Sequence, residues 1–136
     1  MCLTTKTSVC YVSEKEIKCY KVLLLDDGEY KTPYQKTFVP IKVREGNIPF
    51  FADGVKSVEE SWLSASCFIG SGFIHTYKYL ESARDFKKHL EKMYPNSVCA
   101  IFECKIPIGT IYYEGQDDFF ETSFASEKIM FKKQLV

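Results

Sequence analysis

Between Tyr112 and Glu121 the chain reads YYEGQDDFFE, and residues of these types could do two kinds of chemistry. Glu114, Asp117, Asp118 and Glu121 crowd carboxylates together, and hard divalent cations take several oxygen ligands. Their spacing does not match an EF-hand loop, however, and no metal site is expected. Phe119 and Phe120, preceded by Tyr112 and Tyr113, instead suit a protein-contact tip, with aromatic anchors inside a charged rim. The plain alternative is a solvated loop whose phenylalanines fold back on the core.

A second set lies in GFIHTYKY (72–79). Strict alternation puts Phe73, His75, Tyr77 and Tyr79 on one face of a strand, with Ile74, Thr76 and Lys78 on the other. An imidazole beside aromatic rings can wall a pocket for a flat ligand. It can equally pack against the helix that follows. With His89 as the other histidine, a histidine-rich transition-metal site is hard to assemble. Cys2 is a third candidate, since removal of Met1 would expose an amine able to act as base for its own thiol. No constellation of Arg, Asp and Asn accompanies it, so an ordinary thiol is expected.

These residues need elements to position them. IKCYKVLLL (17–25) reads as a buried strand closed by the turn DDGE. Three prolines and two glycines break 30–54 into short extended pieces, of which VPIKVR (39–44) is the best strand. VKSVEESWLSA (55–65) has the spacing of a short helix burying Val55, Val58 and Trp62. Leu80, Ala83, Phe86, Leu90 and Met93 then follow a helical period over about 80–94, stopped by Pro95. SVCAIFECKI (97–106) is the clearest strand, TIYYE (110–114) continues extended, 115–126 reads as a loop and EKIMFKKQL (127–135) as a last strand. Residues 1–16 read as an extended arm. The expected fold is a single α+β domain with one mixed sheet and a principal helix on one face.

Composition sets the outer limits. At 136 residues the chain fits one domain. Eighteen basic residues balance eighteen acidic ones, so the net charge gives no pull toward nucleic acid or anionic membranes. No apolar run approaches membrane-spanning length and no secretory h-region opens the chain, so a cytoplasmic protein is expected. None of the six cysteines forms a CxxC pair, and reduced thiols are expected, with Cys99 and Cys104 on opposite faces of their strand. Aromatics reach 15%, which suits a sheet-rich domain, a binding face, or both.

MCLT (1–4), CYKVL (19–23), GFIHTYKYLESARDF (72–86), IPIGTIYYEG (106–115) and FASEKI (124–129) together resemble small uncharacterised proteins of gut bacteria and their phages. That resemblance covers most of the chain and implies a source, with no activity attached. Ile74 departs from that group's plain GFH form. The order GFIHTY, helix, AIFECKIPIGTIYY, loop, EKIMF is also similar to the second half of ADP-ribosyltransferase folds. That similarity implies an enzyme using NAD. In it Glu127 would orient the nicotinamide ribose, Tyr77 or His75 would lie against the nicotinamide ring, and Tyr20 would stand at the first-strand histidine or arginine position. A carboxylate beside an oxocarbenium-like centre would stabilise its developing charge. The family's HxT-like or Arg motif and its STS-like motif are absent here. The alternative is that Glu127 merely opens an edge strand. The sequence therefore supports a non-enzymatic accessory or interaction protein, binding a protein or small ligand with no cofactor, ahead of an NAD-dependent transferase.

Overall fold

The computed structural model describes residues 3–5, 9–26, 28–34, 37–41, 43, 45–46, 49–52, 56, 58–61, 66–70, 72–117, 119 and 121–135. Its strands are β1 (Leu3–Thr5), β2 (Tyr11–Val12), β3 (Ile17–Asp26), β4 (Glu29–Tyr34), β5 (Thr37–Ile41), β6 (Pro49–Phe51) and β7 (Val58–Ser61). They continue as β8 (Ser66–Ile69), β9 (Ile74–Tyr77), β10 (Val98–Ile106), β11 (Ile111–Gln116), β12 (Thr122–Ser126) and β13 (Lys128–Gln134). Helix α1 (Leu80–Met93) stands between β9 and β10. Strand accounts for 58% and helix for 14%, in a curled antiparallel half-barrel, so the expected α+β fold with a mixed sheet is corrected to a mostly-β one. No helix among the described residues is long and apolar enough to cross a membrane.

The sheet runs β6-β13-β10-β3-β9-β12-β11-β1-β8-β7, with β2 on β11 and the β4–β5 hairpin on β3. Two expectations fall to this pairing, and the expected extended arm takes a place in it. Val58–Ser61 is a strand rather than part of a helix over 55–65: Glu59 pairs with Phe68 and Glu60 with Cys67, and Val58 is 38% exposed. Val55 and Trp62 lie outside the described residues. Thr122–Ser126 is not loop but a strand between β9 and β11. The expected arm is sewn into the sheet, with Leu3 fully buried. Around Ser13 the amide donates to Thr110 O (3.0 Å), the carbonyl accepts from Gly109 N (2.8 Å), and the hydroxyl accepts from Thr110 N (2.9 Å) and donates to Pro107 O. In each case long-range backbone pairing overrides weak local propensity.

β3 and β10 carry the core because both alternate between two buried faces. Val22, Leu24, Cys99 and Ile101 meet Ala83 and Leu90 of α1. Cys19, Leu23, Ala100, Phe102, Cys104 and Ile106 point the other way, onto Ile74, Phe124, Ile129 and Phe131, with Tyr30, Val43 and Phe50 packed over them. Cys99 and Cys104 thus occupy opposite faces, as alternation required. Met93 is 54% exposed and leaves the helical apolar set to which periodicity assigned it, and Val98 at the start of β10 is 63% exposed. Glu81 in the first turn of α1 and Lys92 in the last complement its dipole. Tyr79 sits at its N-cap without a side-chain bond.

β1 reaches β11 only because residue 115 is glycine. A Cβ there would lie 2.3 Å from Thr4 O and 2.9 Å from the Thr5 methyl. Gly115→Ala should therefore cost roughly 3 kcal/mol, because the obstacle is backbone and cannot rotate aside. Urea unfolding would read this as a lower midpoint at unchanged slope.

Candidate functional site

β11 and β12 form a hairpin whose last register pair is Gln116 with Thr122. The intervening loop is held by one side chain. Asp117 Oδ1 accepts from the amides of Phe119 (3.0 Å) and Glu121 (2.9 Å), and the Asp117 amide donates to Glu121 O (3.0 Å). This is the Asx-type bonding by which aspartate builds turns. Its other oxygen accepts from the Tyr77 hydroxyl at 2.7 Å, which ties the loop to β9. Ser82 of α1 adds a bond to Glu121 Oε2 at 2.7 Å. Asp117 is 5% exposed, whereas Phe119 is 50% exposed.

That clamp sets the Phe119 ring on the helix. Its centroid lies 4.8 Å from His89, edge to face, and 6.4 Å from Phe86. Phe86 also stacks on His89 (6.4 Å) and reaches Tyr77 (5.7 Å). Aromatic pairs of this geometry contribute about 0.5–1.5 kcal/mol each beyond their burial. The result is a continuous aromatic line from buried Tyr77 to exposed Phe119. Asp117→Ala should cost roughly 3 kcal/mol, since it releases two amides and removes the acceptor of the Tyr77 hydroxyl bond. Hydrogen exchange should speed up first at the Phe119 and Glu121 amides.

Each described carboxylate of the acidic run has a protein partner. Asp117 serves the turn, Glu121 takes Ser82, and Glu114 pairs at 3.5 Å with Lys78. Among the described residues no set of three or more His, Cys, Asp or Glu is grouped as metal ligands would be. Phe120 and Asp118 lie outside the described residues, as does Cys2. Tyr113 is 8% exposed and packs edge-on against Phe73 (5.5 Å). Tyr112 is half-buried between Tyr11 (5.6 Å) and Phe124 (5.8 Å). Burial raises the pKa of both phenols. Of the three described aromatics singled out for binding, Phe119 is the one placed at the tip.

The four candidate catalytic residues fall into two places. Tyr20 and Tyr77 are the register pair joining β3 to β9. His75 is 6% exposed, with Nε2 3.0 Å from Gly70 O, and burial drives its pKa down to about 3. Glu127 lies beyond the end of β12, its carboxylate paired with Lys56. Ser123 is the partner of Tyr77, so Glu127 is four residues further along, roughly 13 Å at about 3.3 Å per residue.

Two residues escaped the sequence reading. Asp117 was legible as a carboxylate but not as the clamp, although an aspartate two positions before Phe119 is an Asx-turn signal. Lys21 is 5% exposed, on the face shared with Cys19 and Leu23, and its Nζ donates to His75 O at 2.8 Å. Burial lowers its pKa to about 8. Alternation alone would have put it inside. Comparison of the chain with protein-family models, curated proteins and solved structures finds no match.

Proposed function

We propose that this chain is a non-enzymatic interaction module of the cytoplasm that seats Phe119 in an apolar pocket of a protein partner. One observation carries the reading: Asp117 binds the amides of Phe119 and Glu121, and Ser82 binds Glu121, while half of Phe119 stays exposed. Fixing the loop in advance lowers the entropy lost on docking. A rigid aromatic flanked by Phe86, His89 and a charged rim has the make-up of a binding hot spot. The NAD-transferase alternative requires a free carboxylate beside the tyrosines, and the pairing of Glu127 with Lys56 favours the docking reading over it.

The test is quantitative capture from lysate of a gut bacterium, the source that the sequence resemblance implies. Phe119→Ala should weaken capture of the principal partner at least thirty-fold, about 2 kcal/mol, with the domain still folded and its melting temperature lowered by no more than the loss of the His89 and Phe86 ring contacts requires. Val98→Ala, at an equally exposed position, should leave capture intact. Equal capture by wild type and Phe119→Ala would refute the reading.

A further inference from the structure

Helix α1 extends the seat of Phe119 beyond the ring itself. Phe119 rests on His89 (4.8 Å) and Phe86 (6.4 Å). Met93 is four residues past His89 and seven past Phe86, which puts it on that same face, about 6 Å further along the axis. It is the last residue of α1 and is 54% exposed. Single exposed apolar side chains are ordinary, but two on one continuous face make a patch, and methionine adapts well to partner surfaces.

The charge beside this face is uneven. Arg84 and Lys87 are matched within the helix by Glu81 (2.8 Å) and Glu91 (3.2 Å). Lys88 and Lys92 are exposed and, among the described residues, make no ion pair. At about 100° per residue, Lys92 lies about 60° and Lys88 about 100° round from His89, on the side away from Met93. They border the stretch from His89 to Met93. Of the acids of α1 only Asp85 is left without an ion pair, one turn before His89, so two lysines stand against one aspartate. The Glu121 carboxylate meets α1 at Ser82 in its first turn, about 9–15 Å along the axis from the two lysines.

We propose that the partner is acidic where it covers the second half of α1, with carboxylates facing Lys88 and Lys92 and a second apolar side chain on Met93, beside the pocket that takes Phe119. The inference rests on the docking reading and adds the chemistry of the surface that docks. Complementary charge around an apolar centre sets the orientation of docking and rejects partners with a basic flank.

The test places a photo-crosslinking phenylalanine analogue at position 93, at position 119 and, as a control, at Ile108, which is 62% exposed in the turn between β10 and β11. The protein labelled from position 119 is identified, purified and titrated with the full chain. Positions 93 and 119 should label the same protein and Ile108 should not. Lys88→Gln combined with Lys92→Gln should weaken binding to it at least ten-fold and remove most of its salt dependence, and Met93→Ala should weaken it about five-fold. Both positions are exposed, so the variants keep the fold. Labelling from 119 but not from 93, or unchanged affinity in the double glutamine variant, would overturn this inference and leave the docking reading standing. Absence of any discrete product from position 119 would overturn both.

Discussion

Acidifying the protein from pH 6.5 to pH 3 should remove about 5 kcal/mol of folding stability through His75 alone. Burial disfavours the imidazolium, and the nearby Lys21 ammonium adds to that effect. In the unfolded chain the ring takes a proton near pH 6.5, whereas in the fold it does so only near pH 3. Between those values the unfolded state binds more protons, so stability is complete above 6.5 and declines as pH falls toward 3. Against a usual total of about 5–15 kcal/mol, that loss brings the domain to the edge of unfolding as pH approaches 3. His75→Gln, which can keep a donor for Gly70 O, should flatten most of the acid limb. Urea midpoints measured every half pH unit for both proteins would decide it. Parallel curves would show that His75 is not the source.

Lys21→Met should reverse its effect with pH. At pH 7 the buried ammonium costs about 3 kcal/mol, the equivalent of a pKa lowered from 10.5 to about 8. Methionine removes that cost but leaves His75 O without its donor, which costs about 1–3 kcal/mol. The variant should therefore be at least as stable as wild type at pH 7, by about 0–2 kcal/mol. From pH 8 to 10.5 wild-type Lys21 becomes neutral, its penalty disappears, and the order should invert. Cys19, Cys99 and Cys104 also titrate late in the fold because burial raises them, and this destabilises the fold in alkali. Lys21 lowers the pKa of Cys19 and Cys104, so removing it raises both thiols further and deepens the alkaline loss in Lys21→Met, in the same direction as the inversion. A constant difference from pH 7 to 10.5 would contradict the assignment. A lysine that costs stability where it stands is one retained for something other than stability.

The elements legible in the sequence were those with long apolar patterns. IKCYKVLLL, VCAIFECKI and the helix from Leu80 bury whole faces, and periodicity alone locates them. What stayed hidden was strand built from other material. β12 reads TSFAS and is buried from Ser123 to Ser126, its small polar residues accommodated between β9 and β11 rather than driven inward by hydrophobicity. β7 reads VEES, and Val58 with Trp62 mimics a helical spacing, yet partnership with β8 determines its conformation. β1 depends on the glycine at 115, more than a hundred residues away. Once these pieces are strands, a mixed sheet with one helix becomes a mostly-β half-barrel.

The site divides in the same way. Phe119 could be singled out because paired phenylalanines among carboxylates are locally conspicuous. Its supports could not, because Tyr77 and Ser82 reach the loop across 40 and 39 residues of chain. Lys21 was hidden for a related reason: its partner is a backbone carbonyl 54 residues away.

The central claim is that Phe119 is the anchor by which this protein docks. The most direct measurement places a photo-crosslinking phenylalanine analogue at position 119, and in a control at the equally exposed position 98, then irradiates each in lysate. Crosslinking of one discrete partner from position 119, absent from 98 and competed by unlabelled wild type but not by Phe119→Ala, is the predicted result. The same products from both positions, or competition by Phe119→Ala as effective as by wild type, would contradict it.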